Sequence, residues 1–272
     1  MPVHDDLGIR MKSYEKVSRT KLERKVPVAI RIDGKAFHTF TRGFQKPFDE
    51  VLIKSMQETT KYLCENIQGC VLGYTQSDEI TLILVDYKNE NSDAWFDYQV
   101  QKMCSVAASM ATMAFNKCFS EAVHDFRIHM KYDDNGFLNN DEYNLWTVYH
   151  KAIDKGAMFD ARCFNIPIEE VTNLIYWRQL DAIRNSIQML GQANFSHKQL
   201  QGKSCAMIKD MLIEEKGIDW NNLPVHQQRG SCCIKEAYYK EDVLRNRWII
   251  DTEIPIFKDE GRDYVEQLIN FE

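Results

Sequence analysis

The sequence predicts an α+β fold, in which an antiparallel sheet carries helices on one face in the ferredoxin-like, split βαβ order. Apolar β-favouring runs and amphipathic helical patterns alternate through residue 167 as strand, helix, strand, strand, helix, strand. The second and third strands are separated by the polar residues 75–79, which is typical of a hairpin and hence of antiparallel pairing. The chain of 272 residues is 44% hydrophobic and 27% charged, so it can bury a sizeable core.

The N-terminal segment is predicted to be a helix over residues 7–24, because apolar residues recur there at helical spacing until Pro27 ends the pattern. Residues 1–25 hold seven basic and four acidic residues, a local charge of +3 in a chain whose net charge is −6. A solvated helix and an arm that contacts phosphates are both compatible with this charge. The acidic net charge does not by itself indicate a nucleic-acid-binding protein.

The central part of the chain contains five elements that build the predicted sheet and its helical layer. The two helices show apolar residues every three or four positions, and the alanines of the second one indicate close packing on the sheet. In chain order these elements are strand 28–33, helix 49–66, strands 70–74 and 80–85, and helix 95–123.

The remainder of the chain adds a polar segment, one more strand, and C-terminal helices with a hairpin. Repeated turn residues predict a long loop over 124–158, including Asp133-Asp134-Asn135-Gly136. Ser196 is a suitable N-cap for a helix that ends at Gly217. The other predicted elements are strand 160–167, helix 169–190, a hairpin of strands 230–239 and 247–256, and a short acidic helical tail from residue 258.

We expect two structural parts that pack as one compact unit: a catalytic domain with an N-terminal helical arm over residues 1–168, and C-terminal helices with a hairpin over residues 169–272. The chain has no run of 18 apolar residues, and its first residues lack the apolar core of a secretory signal, so we expect a cytoplasmic protein without membrane contact. Its eight cysteines form no Cys-x-x-Cys pair and are interpreted as small buried thiols.

Two acidic positions are the candidate catalytic centre. Asp33 ends the first strand and is followed by Gly34, which permits a sharp turn and a close approach of the backbone to a ligand. Asp78 lies at the tip of the hairpin, next to Glu79. In the predicted topology the first strand lies beside this hairpin, so Asp33 and Asp78 meet. Two neighbouring carboxylates repel unless a proton or a cation bridges them, which favours a site for Mg²⁺.

Simpler interpretations of these residues remain open at this point. An Asp-Gly pair after a strand is a common turn, and Ser-Asp-Glu is an ordinary polar hairpin tip. Strand alternation places Glu79 opposite Asp78, so Glu79 is either a third ligand or a support. His38 is a candidate for stacking on a nucleotide, and Lys102 for reaching a triphosphate, although each is also compatible with a purely structural or solvated role.

Several motifs closely resemble those of the tRNA-histidine guanylyltransferase family, with the same order and spacing over roughly residues 26–235. They are Arg-Ile-Asp-Gly-Lys-Ala-Phe-His at 31–38, Lys-Pro-Phe-Asp at 46–49, Tyr-Thr-Gln-Ser-Asp-Glu at 74–79, Phe-Asp-Ala-Arg at 159–162, Trp-Arg-Gln-Leu-Asp at 177–181, and Leu-Gln-Gly-Lys at 200–203. The resemblance implies a domain like the palm of ordinary polymerases, and addition of nucleotides to the 5′ end of tRNA in the 3′-to-5′ direction with two Mg²⁺ ions.

The resemblance also implies roles for individual residues. Asp33, Asp78 and the carbonyl of Gly34 would bind metal, and Glu79 would be the adjoining catalytic acid. The other positions implied in nucleotide binding are Lys35, Ala36, Phe37, His38, Lys46, Asp49, Ser77 and Lys102. For Arg162, Arg178, Lys203 and Arg229, contact with tRNA and a structural role are both open. The family resemblance further implies ATP and GTP as substrates and a homotetramer.

Two departures from the family pattern bear on the reaction. Phe48 replaces the asparagine usual in the Lys-Pro-x-Asp loop, and Ile183-Arg184-Asn185-Ser186 replaces the His-Ile-Asn-Asn stretch of enzymes dedicated to tRNA-histidine. The chain is therefore most similar to the guanylyltransferase-like branch, which repairs truncated tRNA 5′ ends against a template. Obligatory addition of one guanylate, a nucleotide cyclase and a non-catalytic RNA-binding module are the alternatives.

Overall fold

A computed structural model describes residues 5–88, 91–131, 139–241 and 243–270. Its centre is one six-stranded sheet in the order β4-β1-β3-β2-β5-β6, in which every neighbouring pair is antiparallel. The strands are β1 (Val28–Gly34), β2 (Cys70–Gln76), β3 (Glu79–Leu84), β4 (Phe159–Asn165), β5 (Ser231–Lys240) and β6 (Val243–Asp251). The predicted α+β fold with a split βαβ core is confirmed.

Ten α-helices accompany the sheet in the described residues. The long ones are α1 (Asp6–Lys16), α3 (Glu50–Asn66), α4 (Val100–Ile128), α5 (Asn140–Lys155), α6 (Ile168–Asn194) and α8 (Cys205–Lys216). The short ones are α2 (Phe37–Phe40), α7 (His197–Leu200), α9 (Val225–Arg229) and α10 (Asp263–Ile269), with 3₁₀ turns at Trp95–Tyr98, Trp220–Asn222 and Asp259–Arg262. No helix in these ranges is long and apolar enough to cross a membrane.

The two faces of the sheet carry different helical layers because side chains alternate along each strand. Val28, Ile30 and Ile32 of β1 face α3 and α4, and they belong to the largest apolar cluster. Ala29 faces the other way and packs in a second cluster with Val171 and Ile175 of α6. Helices α3 and α4 thus lie on one face, as predicted, whereas the C-terminal helices α6 and α10 cover the other. The proposed boundary at residue 168 stays a prediction.

The segment over 124–158, predicted as a long loop, was the least accurate expectation. Helix α4 continues to Ile128, and residues 140–155 form α5, whose Tyr149 and Ala152 are buried. Asn139 caps α5 by accepting hydrogen bonds from the backbone of Asp141 and Glu142. Because most residues of this segment are polar, the sequence pattern did not indicate that α5 is an amphipathic helix with a narrow buried stripe. The predicted turn at 133–136 lies outside the described residues.

Other boundaries also differ from expectation, among them those of α1, of the helix expected from Ser196 and of β6. Helix α1 ends at Lys16 rather than near residue 24, and it buries none of its residues. The helix expected from Ser196 is two helices, because a turn at 201–204 lets Ser204 cap α8 separately. Strand β6 begins at Val243, four residues before the predicted start, because β5 and β6 pair along their whole length as a ribbon.

Candidate active site

The end of β1 is held in a tight turn that presents Asp33. The amide of Gly34 donates to the carbonyl of Asp78 at 3.1 Å, and the amide of Lys35 donates to the carbonyl of Met158 at 2.8 Å. A Cβ atom on Gly34 would lie 2.2 Å from the ring of Phe37, so this position requires glycine. Phe37 in turn packs against the rings of Phe40, Phe115 and Phe159. The apolar core therefore fixes the turn that follows the catalytic candidate.

The hairpin between β2 and β3 brings the second acid to the same place. Gln76 and Glu79 are its last pair, so Ser77 and Asp78 form a two-residue turn, and Ser77 has a positive φ of 50°. Glu79 is also the ladder partner of Asp33. Asp78 thus lies one residue from the position directly opposite Asp33. The hydroxyl of Ser77 donates to the Asp78 carboxylate at 3.1 Å.

Burial and mutual repulsion raise the pKa of both carboxyl groups. Burial raises the pKa of Asp78 to about 6, and the charge of Asp33 adds to this effect. Burial also raises the pKa of Asp33, followed by the charges of Glu79 and Asp160. No described side chain donates a hydrogen bond to the Asp33 carboxylate. Two partly desolvated carboxylates of this kind are stabilised by a cation between them.

The donor set of this corner fits Mg²⁺. In the described ranges no three His, Cys, Asp or Glu side chains are grouped as a metal site. A cation here would therefore take two carboxylates from the protein and complete its shell with backbone carbonyl, water and phosphate oxygens. Mg²⁺ characteristically binds in this manner, whereas Ca²⁺ and Zn²⁺ sites take more ligands from the protein.

Both acids open into a cleft of about 730 Å³, large enough for a nucleotide. Its walls are the end of β1 with α2, the loop before α3, the hairpin tip, and Met189 and Gln192 of α6. Of the residues implicated in nucleotide binding by the sequence, the cleft is lined by Asp33, Gly34, Ala36, Phe37, His38, Lys46, Asp49, Ser77 and Asp78. Lys35 is exposed beside it without lining it.

Asp49 anchors the loop that forms one wall of the cleft. One of its oxygens caps α3 by accepting from the amide of Leu52 at 2.9 Å. The other accepts from the amide of Gln45 at 2.9 Å and from the hydroxyl of Tyr149 at 2.7 Å. The Asp49 side chain that accepts these three hydrogen bonds is only 5% exposed. Asp49 therefore shapes the cleft, and its carboxylate is fully engaged within the protein.

The carboxylate of Glu79 is bound by cations of the protein itself. One oxygen accepts from Arg31 at 3.2 Å, and the other accepts from Arg178 and from Gln76 at 3.1 Å. Arg178 is buried, and it also pairs with Asp181 at 2.9 Å. Of the two roles open to Glu79 from the sequence, the geometry favours support of the hairpin over binding of metal.

Lys102 does not line the cleft of Asp33 and Asp78, and its contact with a triphosphate stays a prediction. It lies at the start of α4, in a separate depression with Arg24 and Asp97, and its ammonium group is 4.5 Å from the centre of the Phe96 ring. The N-terminal part of α4 contacts the opposite end of the sheet, where Cys104 touches Cys163. The helical pattern indicated a polar stripe, but it contained no information on which end of α4 lies near Asp33.

The four basic residues for which tRNA contact was open fall into two groups. Arg178 is buried in the network around Glu79, and Arg229 donates to the carbonyl of Ile254 at 3.0 Å, so both have structural partners. Arg162 is exposed on the edge strand β4, and Lys203 is exposed at a separate hollow of about 480 Å³ near α7. Only these two have the exposure that contact with an RNA requires.

Several residues of the site were not singled out from the sequence, among them Arg31, Met189 and Gln192. Strand alternation does place Arg31 on the face of Asp33, so that signal was available. Met189 and Gln192 lie near the end of α6, more than a hundred residues along the chain, and no local pattern connects them with the cleft.

Comparisons with known proteins identify the family of this chain. The profile described as Thg1: tRNAHis guanylyltransferase matches residues 8–167. An uncharacterised protein of Acanthamoeba polyphaga mimivirus is 28% identical over 267 residues, which cover 94% of this chain and 85% of the relative. A tRNA(His) guanylyltransferase of Schizosaccharomyces pombe is 25% identical over 244 residues, 85% of this chain and 81% of the relative.

Two solved structures match the chain over nearly its whole length. A bacterial tRNA(His) guanylyltransferase (Thg1)-like protein in complex with ATP superimposes with a TM-score of 0.80 at 42% identity, covering 98% of this chain and 100% of that one. Such a protein in complex with GTP gives a TM-score of 0.76 at 40% identity over the same shares. Because the profile spans more than half of the chain, the chain belongs to the Thg1 family of tRNAHis guanylyltransferases, which are nucleotidyltransferases.

Proposed function

We propose that this protein is a template-dependent nucleotidyltransferase that adds nucleotides in the 3′-to-5′ direction to truncated tRNA 5′ ends. The observation that carries the proposal is the meeting of Asp33 and Asp78 at one cleft, where burial and repulsion raise the pKa of both. Such an acid pair suits in-line displacement at phosphorus, where negative charge builds on the leaving oxygen. Family membership supplies tRNA as the proposed acceptor.

ATP and GTP are the proposed nucleotide substrates, since related structures contain them. The cleft offers an exposed cation at Lys46 and an imidazole at His38, whose ring nitrogen lies 3.0 Å from the hydroxyl of Thr39. We propose that Lys46 binds the phosphates and that His38 contacts the base or sugar. In this scheme the 5′-monophosphate of the RNA receives AMP from ATP, or GMP from GTP, with release of pyrophosphate. The 3′-hydroxyl of the incoming nucleotide then attacks the activated 5′ phosphate and displaces the AMP or GMP.

Two Mg²⁺ ions are the proposed cofactors, held by the carboxylates of Asp33 and Asp78 and the carbonyl of Gly34. When bound, they would neutralise charge on the attacking and leaving oxygens. The role of the chain is to hold the two acids in place before any ligand arrives. It does so through the hydrogen bond from Gly34 to Asp78 and through the aromatic packing behind Phe37.

Repair of truncated tRNA is favoured over obligatory addition of one guanylate by the two departures from the family pattern. The structure brings both departures to one small hollow of about 90 Å³ beside the cleft, which is lined by Phe48, Asn185 and Ser186 among others. Ser186 accepts a hydrogen bond from the indole of the buried Trp220 at 2.9 Å, so it serves packing there. Part of the stretch that marks the dedicated enzymes is thus replaced beside Phe48, the other departure from the family pattern.

A template series tests this proposal. The substrate is a 5′-monophosphorylated tRNA lacking its first nucleotide, made in four forms that differ in the base opposite the gap, and incubated with Mg²⁺, ATP and all four nucleotides. We expect the added nucleotide to follow Watson–Crick pairing with that base in each form. Addition of G to every form would identify single-guanylate transfer instead. A small cyclic product with no labelled RNA would identify a nucleotide cyclase.

We further propose that the protein assembles as a homotetramer. Helix α1 buries no residue in the single chain, and Leu7, Met11 and Tyr14, which lie on one side of the helix, are all exposed. Apolar side chains in such a row are commonly covered by another copy. Sedimentation velocity measures the assembly directly, and a sedimentation coefficient of a 31.9 kDa monomer at micromolar concentration would contradict it.

A further inference from the structure

A half-exposed tryptophan lies on the same sheet face as Asp33, outside the nucleotide cleft. Trp177 of α6 is 52% exposed. The guanidinium carbon of Arg31 lies 5.3 Å from the centre of its ring, and that of Arg178 lies 4.5 Å away. Arg31 precedes Asp33 by two residues in β1, so both side chains leave the strand on the same face. The ring therefore lies on the face of the sheet from which the Asp33 side chain projects, and it does not line the cleft.

About half of the Trp177 side chain is exposed to solvent. Arg31 and Arg178 both bind the carboxylate of Glu79 on the sheet. The same two guanidinium groups contact the ring, and the remaining part of Trp177 is open to solvent. Because two guanidinium groups already contact this ring, its side chain loses little rotamer freedom when a ligand stacks on it.

The surroundings of the ring carry exposed positive groups. Arg162 of β4 pairs directly with Arg31 in the ladder and is exposed, with Asp160 at 3.2 Å as its partner. Arg184, two turns along α6 from Trp177, is also exposed and pairs with Asp181. The charges of Arg162 and Arg31 both lower the pKa of Asp33, which places them close to it. An aromatic face flanked by guanidinium groups matches the chemistry of nucleic-acid ends.

The direction of approach selects RNA as the occupant. If the cleft takes the incoming nucleotide, the 5′ end of the acceptor must reach Asp33 and Asp78 from outside the cleft. Asp33 lines the cleft, whereas Arg31, Arg162 and Trp177 lie outside it, on the other side of Asp33. A tRNA that lacks its first nucleotide also presents an unpaired base opposite the gap, and unpaired bases stack readily on aromatic side chains.

We propose that Trp177 is the stacking platform for the exposed base at the end of the acceptor helix of the tRNA, with Arg162 and Arg184 contacting the adjacent phosphates. This inference rests on the proposed function, because it assigns the acceptor side of that same reaction. According to this proposal, Trp177 contacts the RNA and does not contact the incoming nucleotide.

The test compares binding of RNA and of nucleotide by four proteins: wild type, Trp177→Ala, Trp177→Phe and the control Met113→Ala. Met113 is an exposed apolar residue of α4, in the opposite helical layer. The RNA probe is a 5′-monophosphorylated tRNA lacking its first nucleotide, labelled at its 3′ end and measured by fluorescence anisotropy at fixed salt. Binding of ATP and GTP is measured by calorimetry, and each free protein is examined by sedimentation velocity.

We expect Trp177→Ala to raise the Kd for RNA roughly five- to hundredfold, the range of one lost base stack. The Kd for ATP and GTP should change less than twofold. Trp177→Phe should stay within about threefold of wild type, since it keeps an aromatic face, and Met113→Ala should be indistinguishable from wild type.

Other results would overturn the platform. Unchanged RNA affinity in Trp177→Ala, equal losses in the Phe and Ala variants, or a parallel loss of nucleotide binding would each exclude a stacking role. A changed sedimentation coefficient in Trp177→Ala would show instead that the ring is covered by a second copy. If wild type extends and binds the tRNA while the Ala variant binds it equally well, only the platform is wrong. If wild type neither binds nor extends it, the proposed function fails as well.

Discussion

At the scale of single residues, the ionised carboxylate of Asp78 lowers the stability of the folded protein, because it is partly buried. Folding raises its pKa to about 6 through burial and through the charge of Asp33. Between about pH 4 and pH 6 the folded protein therefore binds more protons at this site than the unfolded chain does. The contribution of Asp78 to the free energy of unfolding consequently falls as the pH rises through this window, and it is unfavourable at neutral pH.

Replacing Asp78 by asparagine should remove this penalty. Without divalent cations, Asp78→Asn should raise the free energy of unfolding at pH 7 by roughly 1–3 kcal/mol relative to wild type, and the difference should shrink towards pH 4. Urea unfolding at several pH values measures it. Asp154→Asn, at an exposed acid of α5, is the control and should give a difference close to zero throughout. A variant less stable than wild type at pH 7 would contradict the expectation.

Glu79 and Arg178 form a second residue-scale unit, with a supporting role. Among the described residues, Glu79→Gln leaves the buried Arg178 with Asp181 as its one acidic partner, so we expect a loss of roughly 2–4 kcal/mol in the free energy of unfolding. The Mg²⁺ concentration for half-maximal activity should change less than about threefold. Glu169→Gln, an exposed acid near the start of α6, serves as the control.

Unchanged stability together with a higher Mg²⁺ requirement in Glu79→Gln would show that Glu79 binds the metal. If Glu79→Gln keeps the stability of wild type and requires at least about tenfold more Mg²⁺, its carboxylate is a ligand and the ion pair with Arg178 is secondary. A double-mutant cycle with Arg178→Met separates the two effects, since a structural pair should show a coupling energy that is independent of Mg²⁺.

At the scale of elements, the loop before α3 depends on one buried carboxylate. Asp49→Ala removes the cap of α3 and leaves the amide of Gln45 and the hydroxyl of Tyr149 without their acceptor. We expect the free energy of unfolding to fall by roughly 2–4 kcal/mol, a lost cap together with unsatisfied buried donors. Thermal and urea unfolding measure the change.

The cap of α1 provides a matched control for this prediction. Asp5→Ala also removes an N-cap, but α1 buries no residue, so global unfolding should change by less than about 1 kcal/mol. Tyr149→Phe removes one of the three bonds of Asp49 and should cost an intermediate amount. Equal effects of Asp49→Ala and Asp5→Ala would contradict an anchoring role for Asp49.

The sequence specified the elements of the sheet well because their signals are local. β1 and the hairpin alternate or remain apolar over short runs, and Asp33 and Asp78 follow directly from where those strands end. Helix α5 was missed because most of its residues are polar and only Tyr149 and Ala152 are buried. The break at 201–204 was missed although it has a local signal, the glycine at position 202, which has a positive φ of 74°, a backbone conformation that commonly ends a helix.

At the scale of the whole molecule, the site depends on packing that no local pattern predicts. The cleft joins the end of β1, the hairpin and the far end of α6, and the sequence indicated only the first two. For the same reason Lys102 was assigned to the cleft although the start of α4 lies at the other end of the sheet. The acid pair was predictable, whereas the side from which each ligand approaches it required the structure.

The central claim is that Asp33 and Asp78 together drive the 5′ extension of tRNA. The most direct measurement is the single-turnover rate of nucleotide addition to a tRNA lacking its first nucleotide, at saturating Mg²⁺, for wild type, Asp33→Asn, Asp78→Asn and the control Asp154→Asn. We predict that each active-site variant lowers the rate by about three orders of magnitude or more, while the control keeps the wild-type rate. Extension by either active-site variant at a rate near that of wild type would contradict the account.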